Sequence, residues 1–239
     1  MVRCRMMQTV HWAQSLLRCP NMIARYRDRR DAGRRLGALL GAYANRHDVV
    51  VLALPRGGVP VAYEVASALG APLDVFVVRK LGLPAHEELA MGALASGGVR
   101  VLDDELIRIA RVSADDLQRV TAMEQAELNR RERLYRGARP FPDVRGKTAI
   151  LIDDGLATGS TMRAAVAALR LEGPARIVVA VPVAASETCD AFLSIADDVV
   201  CAYAPEPFHA VGLWYDDFEQ TTDEEVHELL DQANLAARA

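Results

Sequence analysis

The feature that most constrains the fold is a set of short apolar runs rich in β-branched residues, separated by segments with helical periodicity. Five such runs are present, at residues 49–54, 73–78, 147–152, 175–183 and 197–203. The helical segment after the first run has Pro60 in its first turn and Gly70 just past its end, as helices prefer. Strands that alternate with helices form a parallel sheet with right-handed crossovers. We therefore predict an α/β protein with an open, mainly parallel twisted sheet and helices on both faces.

One long segment, at about residues 80–144, interrupts this alternation. Its first part, residues 88–103, is typical of a β-hairpin that turns at Gly97-Gly98. The segment is too long for a simple connection between two elements of a compact domain. We therefore expect a flap or an oligomer contact there, and a homodimer as the assembly.

A long helix is predicted in the second part of this insertion. Ser113 and Asp116 form a capping box at its start, and the helical pattern continues to about Arg136. Opposite charges four residues apart support an exposed helix, at Glu127 with Arg131 and at Glu132 with Arg136.

The two ends of the chain differ from this predicted core at residues 23–204. Residues 1–22 lack clear periodicity, so we expect a loosely ordered N-terminal extension. Residues 1–35 hold nine arginines against two aspartates, whereas residues 213–231 hold eight acidic side chains and no Lys or Arg. We interpret these as a basic surface segment and, within residues 205–239, an acidic C-terminal helix.

Overall charge and cysteine usage exclude several classes of protein. A net charge of -4 gives no reason for a general affinity for membranes or nucleic acids. No apolar run approaches the length that spans a bilayer, and the N-terminal region lacks the apolar core of a signal peptide. Four cysteines form no C-x-x-C pair and lie near no histidine at metal-ligand spacing: Cys4, Cys19, Cys189 and Cys201. We expect a cytoplasmic protein with reduced cysteines.

The stretch ILIDDGLATGST, residues 150–161, combines a buried-strand pattern with two kinds of polar chemistry. Asp153 and Asp154 stand at the carboxyl end of the third predicted strand, and the residues after them lead into a helix. The N-terminus of a helix favours a phosphate, and Gly159 lets the backbone approach it closely. Carboxylates repel phosphates, so a ligand that fits both would present hydroxyls to the aspartates and a phosphate to the loop. Helix capping explains one or two of these residues but not the whole stretch.

This stretch resembles the phosphoribosyl pyrophosphate (PRPP) motif of type I phosphoribosyltransferases, with four apolar residues, two acids and a T-G-x-T loop. The resemblance implies that Asp153 and Asp154 receive the ribose 2′- and 3′-hydroxyls. It implies that a loop holds the 5′-phosphate, formed by Gly155, Leu156, Ala157, Thr158, Gly159, Ser160 and Thr161. The order of the surrounding elements agrees with the family over roughly residues 25–218. It also implies an enzyme that transfers the 5-phosphoribosyl group between PRPP and a nitrogenous base.

Two further stretches resemble the family's pyrophosphate site. PRGG, residues 55–58, matches the pyrophosphate loop, where Arg56 and the backbone of Gly57 and Gly58 would meet the leaving group. Arg79-Lys80, after the second predicted strand, matches the family's RK pair beside the pyrophosphate. Taken alone, such cations would more often be solvated surface charges. Together with the aspartate motif, however, both fall at strand ends on one edge of the sheet, so we favour a role in binding pyrophosphate.

The chemistry of a pyrophosphate leaving group completes the expected site. Bond breaking at the ribose C1′ needs charge neutralisation, so we expect Mg²⁺ as cofactor, held by Asp153 and Asp154. The residues expected to act in catalysis are Asp153, Asp154, Arg56 and Lys80.

Departures from the family pattern narrow the range of possible acceptor bases. Enzymes acting on 6-oxopurines have a third aspartate where this chain has Ala157, and a lysine near the end of the next strand, which residues 180–186 lack. We therefore expect hypoxanthine and guanine to be excluded. Adenine and orotate enzymes also lack the third aspartate, so phosphoribosyl transfer itself is not excluded.

The segment at residues 205–218 resembles the hood that covers the base in the purine branch of the family. Phe208 is the position that would stack on the base, whereas Trp214 and Tyr215 fit a packing role or a ligand role equally well. Asp216 or Asp217 could reach a Mg²⁺-bound water, and His86 and His209 are the candidate acid–base groups.

A regulatory protein is the alternative to an enzyme. On the same fold it would sense PRPP or a nucleotide, with the arginine-rich N-terminal region binding RNA or DNA. The sequence has no helix-turn-helix and no basic motif with stacking aromatics, so we favour the enzyme and expect no nucleic-acid partner.

Overall fold

The computed structural model describes residues 25–84 and 86–236, so the predicted extension at residues 1–22 lies outside the described part. Its strands are β1 (Val49–Ala53), β2 (Leu73–Val75), β3 (Val78–Leu83), β4 (His86–Ala95), β5 (Val99–Leu102), β6 (Thr148–Ile152), β7 (Arg176–Val183) and β8 (Asp198–Tyr203). Its helices are α1 (Arg29–Leu39), α2 (Gly58–Leu69), α3 (Asp104–Ile109), α4 (Ala114–Arg136), α5 (Ser160–Leu171), α6 (Ser186–Phe192) and α7 (Asp223–Ala236). Two 3₁₀ turns are Gly41–Tyr43 and Val211–Trp214.

A parallel five-stranded sheet in the order β2-β1-β6-β7-β8 forms the centre of the protein. Every residue of β1 and β6 is buried, as expected of strands covered on both faces. Alternate residues of β1 pack into different clusters: Val49, Val51 and Ala53 pack with α1, α2 and α7, while Val50 and Leu52 pack with α5 and α6. The predicted fold class, a mainly parallel α/β sheet with helices on both faces, is confirmed.

A second, antiparallel sheet in the order β3-β4-β5 forms the first part of the insertion. Its β4–β5 hairpin turns at Gly97 and Gly98, both at positive φ, as the sequence predicted. The prediction of one strand over residues 73–78 was wrong, because the chain leaves the parallel sheet after Val75 and starts β3 at Val78. The short helix α3 was not predicted either.

Helix α4 confirms the predicted helix, with the Ser113 hydroxyl accepting the Asp116 amide hydrogen at its N-terminus. Both predicted ion pairs form, at 2.7 Å between Arg131 and Glu127 and at 3.1 Å between Arg136 and Glu132. Arg136 is nevertheless buried: only 4% of its side chain is exposed. Its guanidinium also contacts Asp74 at 3.0 Å and donates to the Val75 carbonyl at 2.9 Å, so it anchors the insertion to β2.

Helix α1 packs against α2 and carries part of the basic segment. It ends at Leu39, where the chain tightens into the 3₁₀ turn Gly41–Tyr43. Several of its arginines form ion pairs within the protein: Arg30 and Arg34 with Glu64, and Arg35 with Asp31. This part of the basic segment therefore contributes to packing of α1 on α2.

The expectation of reduced cysteines was wrong for Cys189 and Cys201, which form a disulfide. The two are 12 residues apart in the sequence, but α6 packs against β8 and brings their Cα atoms to 6.6 Å. Among the described residues, no helix is both long and apolar enough to cross a membrane.

We predict that Arg136→Met lowers the free energy of unfolding by about 3 kcal/mol, because it leaves the carboxylate of Asp74 largely buried without its cation. Urea unfolding followed by circular dichroism measures the change. Arg130→Met is the matched control, since Arg130 pairs with Glu127 on the exposed side of α4 and its loss should have no measurable effect. Equal stability of the Arg136 variant and wild type would contradict the anchoring role.

Candidate functional site

Two loops meet where β1 and β6 end side by side. The Leu54 amide donates to the Ile152 carbonyl at 2.8 Å, which continues the pairing beyond the last paired strand residues, Ala53 and Ile152. The PRGG loop, residues 55–58, therefore lies beside the acidic pair, Asp153 and Asp154. A Cβ built on Gly58 would lie 2.7 Å from the Ile152 carbonyl oxygen and 3.0 Å from the Asp153 Cα. Only glycine fits this contact between backbones.

The acidic pair is held in a largely buried position. The Asp154 amide donates to Asp153 Oδ1 at 2.9 Å, and the Tyr215 hydroxyl donates to the Asp154 carbonyl at 2.6 Å. Burial, together with the charge of Asp154, raises the pKa of Asp153 well above its usual range. Burial also raises the pKa of Asp154, and the neighbouring Arg29 opposes that rise. Two carboxylates so placed favour a hydrogen-bonding or cationic partner.

Arg29, which the sequence did not indicate, supplies such a partner. Its Nε donates to Asp154 Oδ2 at 2.8 Å, and its Nη1 donates to the Glu219 carbonyl at 2.6 Å. The guanidinium also lies over the Phe218 ring, 3.9 Å from the ring centroid. Arginines recur through the N-terminal region, so no pattern singled out this one.

The predicted phosphate loop leads directly into α5. Gly159 adopts a φ of 68°, and a Cβ there would lie 2.6 Å from the Phe192 ring of α6. The Thr188 hydroxyl, also from α6, donates to the Ala157 carbonyl at 2.7 Å. Helix α6 thus supports the loop from behind, while the N-terminus of α5 faces outward.

A cavity of about 190 Å³ lies on this loop. It is lined by Asp153, Gly155, Leu156, Ala157, Thr158, Gly159, Ser160, Thr161, Met162 and Val211. One member of the acidic pair and the whole predicted phosphate loop therefore face one opening. The 3₁₀ turn after β8 closes one side of it through Val211, which the sequence did not single out.

Arg56 of the PRGG loop faces the first turn of α7. Its Nη1 lies 3.8 Å from Asp223 Oδ1, and the same carboxylate oxygen accepts the Tyr135 hydroxyl at 2.6 Å. Burial and this hydrogen bond raise the pKa of Tyr135 to about 12, so the hydroxyl stays protonated and donates. The peptide bond between Pro55 and Arg56 is cis. The acidic C-terminal helix thus contributes a carboxylate to the edge of the site.

Arg79 and Lys80 lie within β3, and not directly at the end of β2 as the sequence suggested. The Arg79 Nε donates to Glu124 of α4 at 2.7 Å, so it ties the two parts of the insertion together. The Lys80 Nζ donates to the Ser160 hydroxyl at 3.2 Å, at the start of α5. Lys80 therefore reaches the phosphate loop, while Arg79 points to a partner in α4.

The segment after β8 packs as an aromatic cluster. Phe208, Trp214 and Phe218 pack against a buried cluster that contains the rings of Tyr26 and Tyr215, and the Phe218 ring contacts that of Tyr215. Trp214 also contacts Tyr203 edge to face, with centroids 5.2 Å apart. These rings fix the segment onto the core beside the acidic pair, which fits the packing role considered for Trp214 and Tyr215.

The other candidates lie at the surface. The backbone amides of Asp216 and Asp217 donate to the carbonyls of Tyr26 and Arg27, and both acidic residues are exposed. His86 is exposed near Glu88, at 3.7 Å, and His209 is exposed as well. The structure gives neither histidine a contact with the acidic pair.

A larger cavity, of about 470 Å³, lies apart from all of these residues. It is formed by the hairpin tip, the end of α4 and the loop after it, with Gly98, Arg133, Arg136, Arg139 and Phe141 among its lining. None of the predicted site residues borders it.

The chain matches a family model described as "Phosphoribosyl transferase domain" over residues 26–207. Two proteins of Mycobacterium tuberculosis, from strains CDC 1551 and H37Rv and both named "Putative phosphoribosyl transferase", are 46% identical to it over 207 residues. This alignment covers 87% of this chain and 46% of theirs, so the chain spans about half the length of these curated relatives. The crystal structure of TT1426 from Thermus thermophilus is 43% identical, with a TM-score of 0.78, covering 87% of this chain and 98% of that one.

We predict that Gly58→Ala displaces the PRGG loop from the acidic pair and lowers the free energy of unfolding by about 1–3 kcal/mol, because its Cβ meets backbone atoms that cannot rotate away. Thermal unfolding measures the loss. Gly41→Ala is the control, since a Cβ there meets nothing within 4 Å. An unchanged melting temperature for Gly58→Ala would show that the two loops are not in direct contact.

Proposed function

The chain belongs to the phosphoribosyl transferase domain family, and from that membership we propose that it transfers a 5-phosphoribosyl group from PRPP to a nitrogenous base, or catalyses the reverse reaction, with release of pyrophosphate. The family resemblance seen in the sequence is thereby confirmed, whereas the substrates are our proposal. One observation supports it most: the acidic pair, the phosphate loop and the PRGG loop surround the ends of two adjacent strands. Such strand ends are where open α/β sheets bind ligands.

We assign the ribose 5-phosphate part of the substrate to the 190 Å³ cavity and its rim. We assign the 5′-phosphate to the loop at residues 157–161, where the amides at the start of α5 and the positive end of the helix favour an anion. The hydroxyls of Thr158, Ser160 and Thr161 add donors. Asp153 and Asp154 then accept hydrogen bonds from the ribose hydroxyls, which resolves the opposition between an acidic pair and an anion loop.

The pyrophosphate part is assigned to the PRGG loop. Arg56 is partly exposed there and only loosely paired, at 3.8 Å from Asp223, so it is available to a stronger anion. Lys80 contributes a second cation beside Ser160. Preorganised cations stabilise the charge that develops on pyrophosphate as its bond to the ribose C1′ breaks.

The donor set fits Mg²⁺ only when the substrate brings part of the coordination. Among the described residues, no group of three or more His, Cys, Asp or Glu side chains could hold a metal. Asp154 already accepts from Arg29, so Asp153 is the better placed carboxylate. Mg²⁺ is commonly bound by one or two carboxylates together with substrate phosphates, and when bound it would neutralise pyrophosphate charge.

The acceptor base is assigned to the space beneath the segment at residues 205–218. Phe208 remains the proposed stacking residue, although it also packs against the aromatic cluster. Ala157 and the absence of lysine over residues 180–186 argue against 6-oxopurines. Backbone groups near residues 209–212 would then read the edge of the base.

The experiment that tests this function is a thermal-shift screen with Mg²⁺-PRPP and a panel of bases and nucleoside monophosphates, followed by assays of pyrophosphate release on the hits. We expect stabilisation by PRPP and turnover with a base other than hypoxanthine or guanine. Efficient formation of inosine monophosphate by the wild type would contradict the acceptor assignment.

Asp154→Asn should weaken PRPP binding by about 10- to 100-fold, because a charge-assisted hydrogen bond contributes roughly 1.5–3 kcal/mol. Isothermal titration calorimetry in the presence of Mg²⁺ measures the affinity. Asp143→Asn is the control, since this exposed carboxylate lies outside the site and its amide variant keeps an acceptor for the Arg145 amide. Absence of PRPP binding to the wild type would refute the proposed function itself.

Arg56→Met and Lys80→Met should lower kcat with PRPP by at least about tenfold, as for loss of one stabilising group, yet weaken ribose 5-phosphate binding far less. Ribose 5-phosphate lacks the pyrophosphate that these cations are proposed to meet. Arg170→Met is a surface control, because Arg170 pairs with Asp197. Equal losses of affinity for PRPP and ribose 5-phosphate would show that the pyrophosphate assignment is wrong.

A further inference from the structure

Arg29 differs from its neighbours on α1 in how it is held. Its side chain is only 11% exposed, whereas those of Arg30, Arg34 and Arg35 are 45–48% exposed and pair with Glu64 or Asp31. Arg29 uses one edge for Asp154, another for the Glu219 carbonyl and one face for the Phe218 ring. The guanidinium makes these contacts simultaneously because it is planar and its N–H donors have a fixed geometry. A lysine ammonium has no such planar face.

The ion pair with Asp154 lies where three parts of the site meet. A Cβ built on Gly57 would lie 2.7 Å from Asp154 Cγ and 3.3 Å from Arg29 Nε, so the PRGG loop packs directly on the pair. The Tyr215 hydroxyl holds the Asp154 backbone from the other side. Arg29 belongs to α1, and Glu219 directly follows the segment at residues 205–218. The Arg29 guanidinium therefore links both α1 and this segment to the acidic pair.

We infer that Arg29 is the permanent counterion of Asp154. It orients this carboxylate toward a hydroxyl ligand and prevents divalent metal ions from binding to it. The carboxylate accepts from Arg29 through Oδ2, which leaves acceptor sites on Oδ1 for a neutral donor. A divalent ion at the same group would lie close to a guanidinium that cannot lose its charge. A ribose hydroxyl brings no such repulsion.

The two carboxylates of the acidic pair therefore have different roles. Asp153 can accept from a ribose hydroxyl and also bind a metal that arrives with phosphates, whereas Asp154 accepts from the sugar only. The role given to the sugar rests on the proposed function, whereas the exclusion of metal from Asp154 is a property of the protein alone.

The test measures Mn²⁺ binding without any substrate, by electron paramagnetic resonance of the free ion. We expect Arg29→Met to bind Mn²⁺ at least tenfold more tightly than the wild type, because two adjacent carboxylates lose their cation. The double variant Arg29→Met with Asp154→Asn should lose this gain. Arg35→Met on the same helix should behave as the wild type, since it pairs with Asp31 and not with the acidic pair.

Two further variants keep the test decisive if Arg29→Met does not fold. Arg29→Gln is neutral and keeps a donor for the Glu219 carbonyl, so it should show the same gain in Mn²⁺ affinity. In the wild-type background, Asp154→Asn should give no gain in Mn²⁺ affinity, because Arg29 keeps its charge there.

The inference is overturned if folded Arg29 variants bind Mn²⁺ no more tightly than the wild type. It is also overturned if the double variant keeps the gain, because Asp154 would then not be the carboxylate that Arg29 withholds from the metal. Failure of the proposed function would appear differently. The Mn²⁺ affinities of the variants would follow the pattern described above, but the wild type would not bind PRPP.

Discussion

Parallel pairing of β1 with β6, in register from Val49 with Thr148 to Ala53 with Ile152, determines where the rest of the site lies. Because the two strands end together, the PRGG loop and the acidic pair leave the sheet as neighbours and pack against each other through Gly58. Helix α6 then supports the phosphate loop, and α1 brings Arg29 to Asp154. A shift of this pairing would separate the groups that we assign to ribose, phosphate and pyrophosphate.

Several features could be predicted from the sequence because their causes are local. Alternating β-branched runs and helices indicated the parallel sheet, and the capping residue Ser113 marked the start of α4 within one position. The stretch at residues 150–161 indicated the acidic pair and the loop, because the aspartates and the loop residues directly follow the apolar run of the strand. The family that it resembled is the family to which the chain belongs.

The features that were missed depend on contacts between distant parts of the chain. Arg29 and Asp154 are 125 residues apart, and Arg56 meets Asp223 from the last helix. The split of residues 73–78 into two strands follows from a change of sheet, which a continuous apolar run does not reveal. The Cys189–Cys201 disulfide likewise depends on how α6 packs on β8, so spacing alone suggested reduced thiols.

A crystal structure with ribose 5-phosphate tests the central claim most directly, because this ligand contains both the diol and the phosphate that the site is proposed to separate. The account predicts the phosphate at the amides of residues 157–161 and both ribose hydroxyls within hydrogen-bonding distance of Asp153 or Asp154, with the Arg29–Asp154 contact retained. A phosphate bound elsewhere, for example in the arginine-lined cavity of about 470 Å³, with the acidic pair free of ligand, would contradict it.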